Sequence, residues 1–130
     1  MKIKVEEVMT PDPETLLPTQ TVGDAHALMT ERGFRHVPIV EGGVLLGVIS
    51  MTDIGRLGAK VPAILAHKLH EVMITNLITV RPDESVSAAA ATMASRKINC
   101  LLVVTGDRLE GIVTTYDLLD AFARQVRADP

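Results

Sequence analysis

Aromatic residues are almost absent from this sequence of 130 residues: they make up 2% of it, and tryptophan does not occur. Proteins that bind single-stranded nucleic acids stack bases on aromatic side chains, and Phe34, Tyr116 and Phe122 are too scattered along the chain to form such a platform. An excess of positive charge is also lacking, since the formal net charge is −3 at pH 7. Both absences disfavour nucleic-acid binding, which needs a basic surface.

Cysteine and long apolar runs are scarce as well. Cys100 is the only cysteine, which excludes an intramolecular disulfide, and its place in the apolar run 98–104 predicts a buried thiol that packs as a small hydrophobic group. No apolar run approaches the ~18 residues of a membrane span. The opening residues MKIKVEEVMT contain no apolar core of a signal peptide. We therefore expect a cytoplasmic protein with no membrane segment.

A tandem repeat organises the sequence. Gly47 matches Gly111, Asp53 matches Asp117 at the same spacing, and no gap is needed anywhere in the alignment of the two halves. Self-similarity at a fixed period indicates a duplicated supersecondary unit. The two glycines lack a Cβ atom, so each allows another backbone or a ligand to approach closely.

The sequence pattern of each repeat predicts secondary-structure elements in the order β-α-β-β-α. A short extended segment comes first, at residues 14–17 and 77–80. The helix that follows begins after Thr21 in the first repeat and after Ser85 in the second, because both hydroxyls are favourable N-caps.

Two strands joined by a glycine turn follow, at 36–50 and 99–114, and a closing helix begins near Thr52 in the first repeat and near Tyr116 in the second. The predicted fold is α+β, with one βαββα unit at residues 1–62 and the other at 63–130. Because neither unit has enough core to be stable alone, we expect them to pack sheet to sheet about a pseudo-twofold axis, with a cleft between them.

The strand-to-helix corners GVISMTDI and GIVTTYDL carry the candidate binding chemistry. Ser50 and Thr114 offer hydroxyls there, and Asp53 and Asp117 follow three residues later. A carboxylate can accept hydrogen bonds from both hydroxyls of a ribose, and the amides at a helix start suit a phosphate. An N-cap with an acidic first turn has the same sequence pattern without any ligand. The chemistry of the corners alone leaves both interpretations open.

The first corner offers more groups than the second. Thr52 adds a hydroxyl, and Arg56, one helical turn on, can direct its guanidinium towards a phosphate. An adenine ring could lie among the extended segments, beside Val37 and Pro38. His36 provides either a basic contact to phosphate or an ordinary surface charge.

The sequence resembles a tandem pair of CBS domains, the family named after cystathionine β-synthase. The resemblance covers nearly the whole chain and agrees in order, spacing and duplication. It is carried by VMT at 8–10, HVPIV at 36–40, GVISMTD at 47–53, VMI at 72–74, ITV at 78–80 and GIVTTYD at 111–117. The resemblance implies a cleft that binds adenine nucleotides or related adenosyl compounds, association of two chains into a flat disc, and a regulatory role.

The resemblance also implies roles for individual residues. Asp53 is similar to the ribose-binding aspartate of the family, with Ser50 and Thr52 near the phosphates. Asp117 and Thr114 are similar in the second repeat.

Thr15 and Thr79 match the threonine that lies beside the base in the family. The second repeat departs from the pattern at three positions, and this predicts two unequal sites. The departures are Leu102 in place of Pro38, Tyr116 in place of Thr52, and Asp120 in place of Arg56.

The function we expect is a regulatory module that binds AMP, ADP or ATP, with or without Mg²⁺, and needs no obligatory cofactor. Because the sequence contains no effector domain, we expect a homodimer that acts on a separate partner protein in trans. The alternative is a ligand-free structural dimerisation module, which the altered second repeat favours.

Neither a catalytic set nor a metal site is expected. Cys100 has no obvious base beside it, and the carboxylates are placed for hydrogen bonding and not for proton transfer. His67 and His70 have a spacing that can chelate a metal, but no third ligand is evident. The sequence therefore predicts a binding protein and not an enzyme.

Overall fold

The computed structural model of the chain describes residues 2–128 and confirms the α+β class. By contacts the chain divides into two compact units. We call Glu14–Leu77 the continuous unit, and Met1–Pro13 together with Ile78–Pro130 the discontinuous unit. The elements are α1 Val5–Val8, β1 Thr10–Pro11, α2 Val22–Arg32, β2 His36–Glu41, β3 Val44–Ser50, α3 Met51–Gly58, a single 3-10 turn Ile64–Ala66, α4 Leu69–Val72, β4 Thr79–Val80, α5 Val86–Arg96, β5 Cys100–Thr105, β6 Arg108–Thr114 and α6 Thr115–Ala128.

The continuous unit packs α2 against the antiparallel β2–β3 hairpin. Thr21 caps α2 as predicted, since its Oγ1 accepts from the amide of Asp24 at 3.1 Å, and the helix ends at Gly33 with φ of 80°. Helical spacing places the apolar residues of α2 on one buried face. The buried core consists of Val22, Ala25, Met29, Val37, Ile39, Ile49, Ile54, Ile64 and Leu69.

The discontinuous unit repeats this arrangement around α5 and the β5–β6 hairpin. Ser85 caps α5 as predicted, and its Oγ accepts from the amide of Ala88 at 3.0 Å. β4 runs parallel to β5, and β1 runs antiparallel to β6, with Thr10 opposite Ile112. The buried core consists of Val5, Val80, Ala89, Met93, Leu101, Val103 and Val113.

The opening segment of each repeat lies in the unit formed by the rest of the other repeat. Val5 donates its amide hydrogen to the carbonyl of Glu84 at 2.8 Å, and Leu69, its counterpart, donates to the carbonyl of Gln20 at 2.8 Å. Both Val5 and Leu69 have 0% of their surface exposed. The sequence repeats therefore divide the chain between residues 62 and 63. The contacts instead group residues 14–77 as one unit and the remaining residues as the other.

Gly47 and Gly111 lie where another segment of the same unit approaches closely. A Cβ atom on Gly47 would lie 2.7 Å from Sδ of Met73, and one on Gly111 would lie 2.5 Å from Sδ of Met9. Backbone carbonyl oxygens are also within 3.0 Å of both positions. The space that the missing side chains leave is thus occupied by the protein's own opening segments.

Candidate functional site

The corner of the continuous unit is a reciprocal capping box. Ser50 ends β3 and caps α3: its Oγ accepts from the amide of Asp53 at 3.0 Å, and its own amide donates to Oδ2 of Asp53 at 2.9 Å. Such a cap stabilises a helix by about 1 kcal/mol. Asp53 therefore has a structural role, whether or not it also binds a ligand.

The second carboxylate oxygen of Asp53 faces Arg56. Nη2 of Arg56 lies 3.3 Å from Oδ1 of Asp53, and the two side chains are 52% and 21% exposed. Each carboxylate oxygen has two lone pairs, so Asp53 can accept further hydrogen bonds beside those of the cap and the ion pair. The corner combines a carboxylate that accepts from donors with a cation one helical turn away.

His36 lies next to this corner, because it is opposite Ser50 in the β2–β3 ladder. Burial lowers the pKa of His36 below its ordinary value of 6.5, the carboxylate of Asp53 acts in the opposite direction, and Arg35 lowers it again. At neutral pH the imidazole is therefore uncharged. The neutral imidazole can donate a hydrogen bond, but it is not a fixed positive charge.

Acidification should destabilise the protein through His36. Because its pKa is lowered in the folded state, the unfolded chain binds the proton more readily, and stability falls as pH drops below about 6.5 towards the folded value. His36→Gln removes this titration and should lose less stability between neutral pH and about pH 5.5. Thermal unfolding of both proteins across this range measures the difference. An equal loss in the two proteins would show that another group is responsible.

The remaining candidates of the continuous unit differ in exposure. Thr15 and Thr52 are exposed, whereas Val37 has 0% of its surface exposed and belongs to the core. Pro38 is also fully buried, and its carbonyl accepts from the amide of Leu16 at 3.1 Å. In this conformation neither residue presents appreciable surface to a ligand.

The corner of the discontinuous unit is built differently. The amide of Thr114 donates to Oδ2 of Asp117 at 2.8 Å, and Oγ1 of Thr114 lies 3.2 Å from the same oxygen. Asp120, where the first repeat has a cation, forms an ion pair with Arg124 at 2.9 Å. Thr79 is exposed on the short strand β4. The structure therefore brings Thr114 and Asp117 together, and Arg124 offsets the charge of Asp120.

Arg124 was not among the residues that the sequence interpretation assigned to this corner. Its spacing of four residues from Asp120 on one helix is the pattern that indicates such an ion pair. The pair is exposed on both sides, at 62% and 64%, so solvent screens it strongly. It partly neutralises Asp120 and does not make this corner a cationic site.

Cys100 lies opposite Thr114 in the β5–β6 ladder and is partly buried. Burial, with a smaller contribution from Asp117, raises the pKa of its thiol to about 12. The thiol therefore stays protonated at physiological pH and is a poor nucleophile.

Two further observations concern metal ions and membranes. Within residues 2–128, no group of three or more histidine, cysteine, aspartate or glutamate side chains is arranged to hold a metal ion. Nδ1 of His67 lies 3.4 Å from Oε2 of Glu71, and His70 does not share this contact. None of the helices described is long and apolar enough to span a bilayer.

Comparison with known proteins identifies the family. Two stretches of the chain, residues 5–59 and 69–124, each match the CBS domain. The chain belongs to the CBS domain family. Among curated relatives, this CBS pair is 33% identical over 114 residues to the CBS domain-containing protein YhcV of Bacillus subtilis, which covers 88% of this chain and 81% of that protein.

Solved structures of CBS proteins have the same fold. A Vibrio cholerae protein named for acetoin utilization, AcuB, is 38% identical with a TM-score of 0.88, over 98% of this chain and 95% of that one. The CBS domain pair of protein MJ0100 is 28% identical with a TM-score of 0.86, over 96% and 99% of the two chains. The MJ0100 crystals contain 5′-methylthioadenosine and S-adenosyl-L-methionine.

Other relatives of this CBS pair are much longer proteins. Homoserine O-acetyltransferase of Methanohalobium evestigatum is 33% identical over 116 residues, which is 88% of this chain and 23% of that enzyme. The chain thus spans less than a quarter of this relative, and the similarity is to one segment of it.

Proposed function

We propose that this CBS pair is a regulatory module that binds an adenosine-containing nucleotide of the AMP, ADP or ATP class, chiefly at the corner formed by Ser50, Asp53 and Arg56. The observation that supports the proposal most strongly is the adenosyl compounds held by the MJ0100 pair, which is 28% identical over 96% of this chain. The acetyltransferase activity of the longer relatives is not part of the proposal.

Asp53 is the proposed ribose anchor. A ribose diol donates to the carboxylate in place of Nη2 of Arg56, which now lies 3.3 Å from Oδ1. Breaking an exposed ion pair of this kind costs about 0–1 kcal/mol, and it releases the guanidinium for the phosphate that follows the ribose. Ser50, Thr52 and His36 would then supply hydrogen bonds to the phosphate oxygens, and Thr15 would lie beside the base.

Calorimetry with AMP, ADP, ATP, NAD and S-adenosylmethionine tests the proposal. Hydrogen bonds to a charged group contribute about 1.5–3 kcal/mol, so Asp53→Ala should weaken nucleotide binding by roughly ten- to a hundredfold. Asp117→Ala should have a smaller effect, because the second corner has Tyr116 in place of Thr52 and Asp120 in place of Arg56. No heat with any of the five compounds, or equal heat for the wild type and Asp53→Ala, would refute the assignment.

A matched control separates binding from helix capping. Asp24 occupies in α2 the same third helical position that Asp53 occupies in α3, and it makes the same reciprocal bonds with Thr21. Asp24→Ala therefore removes an equivalent capping box but no proposed ligand contact. It should bind nucleotide as the wild type does.

Regulation in this proposal requires no catalysis. Nucleotide binding shifts the module between two arrangements that differ in their affinity for the nucleotide, and the module then acts in trans on a separate partner protein in the cytoplasm. We propose that it does so as a homodimer.

The alternative function, a ligand-free dimerisation module, is favoured by the second corner, where Tyr116 is 82% exposed and Asp120 replaces a cation. A ligand of the native state raises the midpoint of thermal unfolding by mass action. A thermal-shift screen of the same five compounds that gives no increase at all would support the alternative.

A further inference from the structure

A groove of about 280 Å³ lies between α1 and α6, two helices of the discontinuous unit. We call it the α1–α6 groove. None of the residues that line it was assigned to nucleotide binding. Its volume is near the lower end of the range of about 300–1,000 Å³ that is typical of ligand pockets, so a ligand that it holds has to be small. The groove is lined by Ile3, Glu7, Val8, Ala121, Arg124 and Gln125.

The groove coincides with a small residue where the other repeat has a large one. At the spacing that matches Gly47 with Gly111, Ala121 is the counterpart of Leu57. Leu57 packs against the core of the continuous unit, as do Val61 and Val72. Ala121 is buried as well, with 3% of its surface exposed, but its methyl group fills much less space. Apolar side chains of the chain itself therefore occupy this position in the continuous unit, whereas in the discontinuous unit a groove remains.

The two helices contribute opposite charges to the groove, Glu7 from α1 and Arg124 from α6. Oε2 of Glu7 accepts from the amide of Lys4 at 2.7 Å, and Nη2 of Arg124 lies 2.9 Å from Oδ2 of Asp120. Each charged group is thereby held on its own helix, and no ion pair between described residues joins Glu7 to Arg124. A carboxylate has about four acceptor sites and a guanidinium has five donors. Both groups therefore keep the capacity to bind a ligand.

Most of the remaining lining is apolar. Ile3 and Val8 are half-buried, and the carbonyl of Ile3 accepts from the amide of Val86 at 2.8 Å, which fixes this segment on α5. Gln125 adds a side-chain amide. A small molecule complementary to this lining has a cation for the carboxylate, an anion for the guanidinium, and an apolar part. A free α-amino acid with an aliphatic side chain has all three.

We propose that the α1–α6 groove binds a free α-amino acid with a small aliphatic side chain. Glu7 accepts hydrogen bonds from its ammonium group, and Arg124 donates to its carboxylate. The aliphatic side chain lies against the apolar lining. Charge-assisted bonds are roughly twice as strong as neutral ones, but solvent screens exposed groups such as these, so the dissociation constant should be about 1 mM. The inference goes beyond the proposed nucleotide site and does not depend on it.

A nuclear magnetic resonance titration of the full chain with L-valine, without nucleotide, tests the site. Amide signals of residues 3–8 and 121–125 should shift and saturate with a dissociation constant of about 1 mM. N-acetylvaline lacks the ammonium group and valinamide lacks the carboxylate, so each should bind at least about tenfold more weakly. Shifts that do not saturate with L-valine, or that saturate equally with either derivative, would refute the proposal.

Charge variants test the two polar contacts. Glu7→Gln removes the charge but keeps the cap of α1, because glutamine also forms a capping box, and Arg124→Gln removes the cation. Each should weaken L-valine binding by about tenfold or more. Glu71→Gln is the matched control, because Glu71 accepts from the amide of Lys68 at 2.8 Å as Glu7 does from Lys4, but it does not line the groove. It should bind L-valine as the wild type does. An equal loss in Glu7→Gln and Glu71→Gln would contradict a direct contact.

A third variant tests the groove itself. Ala121→Leu introduces the residue that the first repeat has at this position, and its larger side chain should fill the groove and abolish binding of L-valine. The dispersion of the amide signals shows whether the variant is folded. Binding as tight as that of the wild type by folded Ala121→Leu would place the site elsewhere. If Ala121→Leu does not fold, Glu7→Gln and Arg124→Gln still decide the proposal.

Discussion

Leu69→Ala is expected to lower the free energy of unfolding by about 2–5 kcal/mol and to increase hydrogen exchange first among residues 14–77. The side chain of Leu69 has 0% of its surface exposed and lies in the core of the continuous unit. Its loss leaves a cavity beside α2, and the surrounding atoms collapse into such a cavity only partly.

Val5→Ala is the reciprocal variant, because Val5 is the counterpart of Leu69 in the other repeat. It too is fully buried, but in the core of the discontinuous unit, and its truncation should cost about 2 kcal/mol. Exchange should then increase first among residues 78–128. Hydrogen exchange of the two variants and the wild type, measured by mass spectrometry, tests which unit each substitution destabilises. Earlier exchange of 78–128 in Leu69→Ala would contradict the assignment of α4 to the continuous unit.

Gly111→Ala should destabilise the protein by about 1–3 kcal/mol, and Gly47→Ala by a similar amount. A methyl group on Gly111 would lie 2.5 Å from Sδ of Met9 and 2.8 Å from the carbonyl oxygen of Thr10. The methionine can move, but the carbonyl belongs to β1, which is paired with β6 at this point. The added atom therefore has to displace backbone.

Gly55→Ala is the control for this pair of variants. Gly55 lies within α3, and a Cβ atom there would meet nothing within 4 Å. Alanine should therefore stabilise the helix by about 0.5–1 kcal/mol. Denaturant titration measures all three variants. A Gly111→Ala protein as stable as the wild type would show that the opening segment yields to the methyl group at little cost.

The sequence predicts the long helices α2 and α5 and both hairpins because their determinants are local. Thr21 and Ser85 are favourable caps for the apolar pattern that follows each of them, and both caps are present in the structure. Runs of valine, isoleucine and leucine on either side of a glycine turn predict the two hairpins. The structure contains both hairpins, as β2–β3 and β5–β6.

The exchange of the opening segments could not be predicted from the repeat. Val5 and Leu69 are equivalent positions of the two repeats, and so are Gln20 and Glu84, the residues whose carbonyls accept from Leu69 and Val5 respectively. The period of the repeat is therefore the same whether a segment packs on its own repeat or on the other one. Only contacts between distant parts of the chain distinguish the two arrangements.

The role of Asp53 is undetermined by sequence for a different reason. The same serine and aspartate that could hold a ribose and a phosphate also form a capping box, and the structure contains that box. The structure also pairs Asp53 with Arg56, whereas the sequence interpretation directed the Arg56 guanidinium towards a phosphate. A ribose anchor and a helix cap require the same atoms in nearly the same place, so only ligand binding separates them.

The place of Val5 in the core beside α5 has a consequence for the order of folding. All residues of the continuous unit, 14–77, are synthesised before the discontinuous unit is complete. Val5 must wait for Glu84, about 80 residues later, and β1 must wait for β6, about a hundred residues later. Closing such long loops is slow. Until then the apolar side chains of α1 are exposed, and this interval is when the nascent chain is most prone to aggregate.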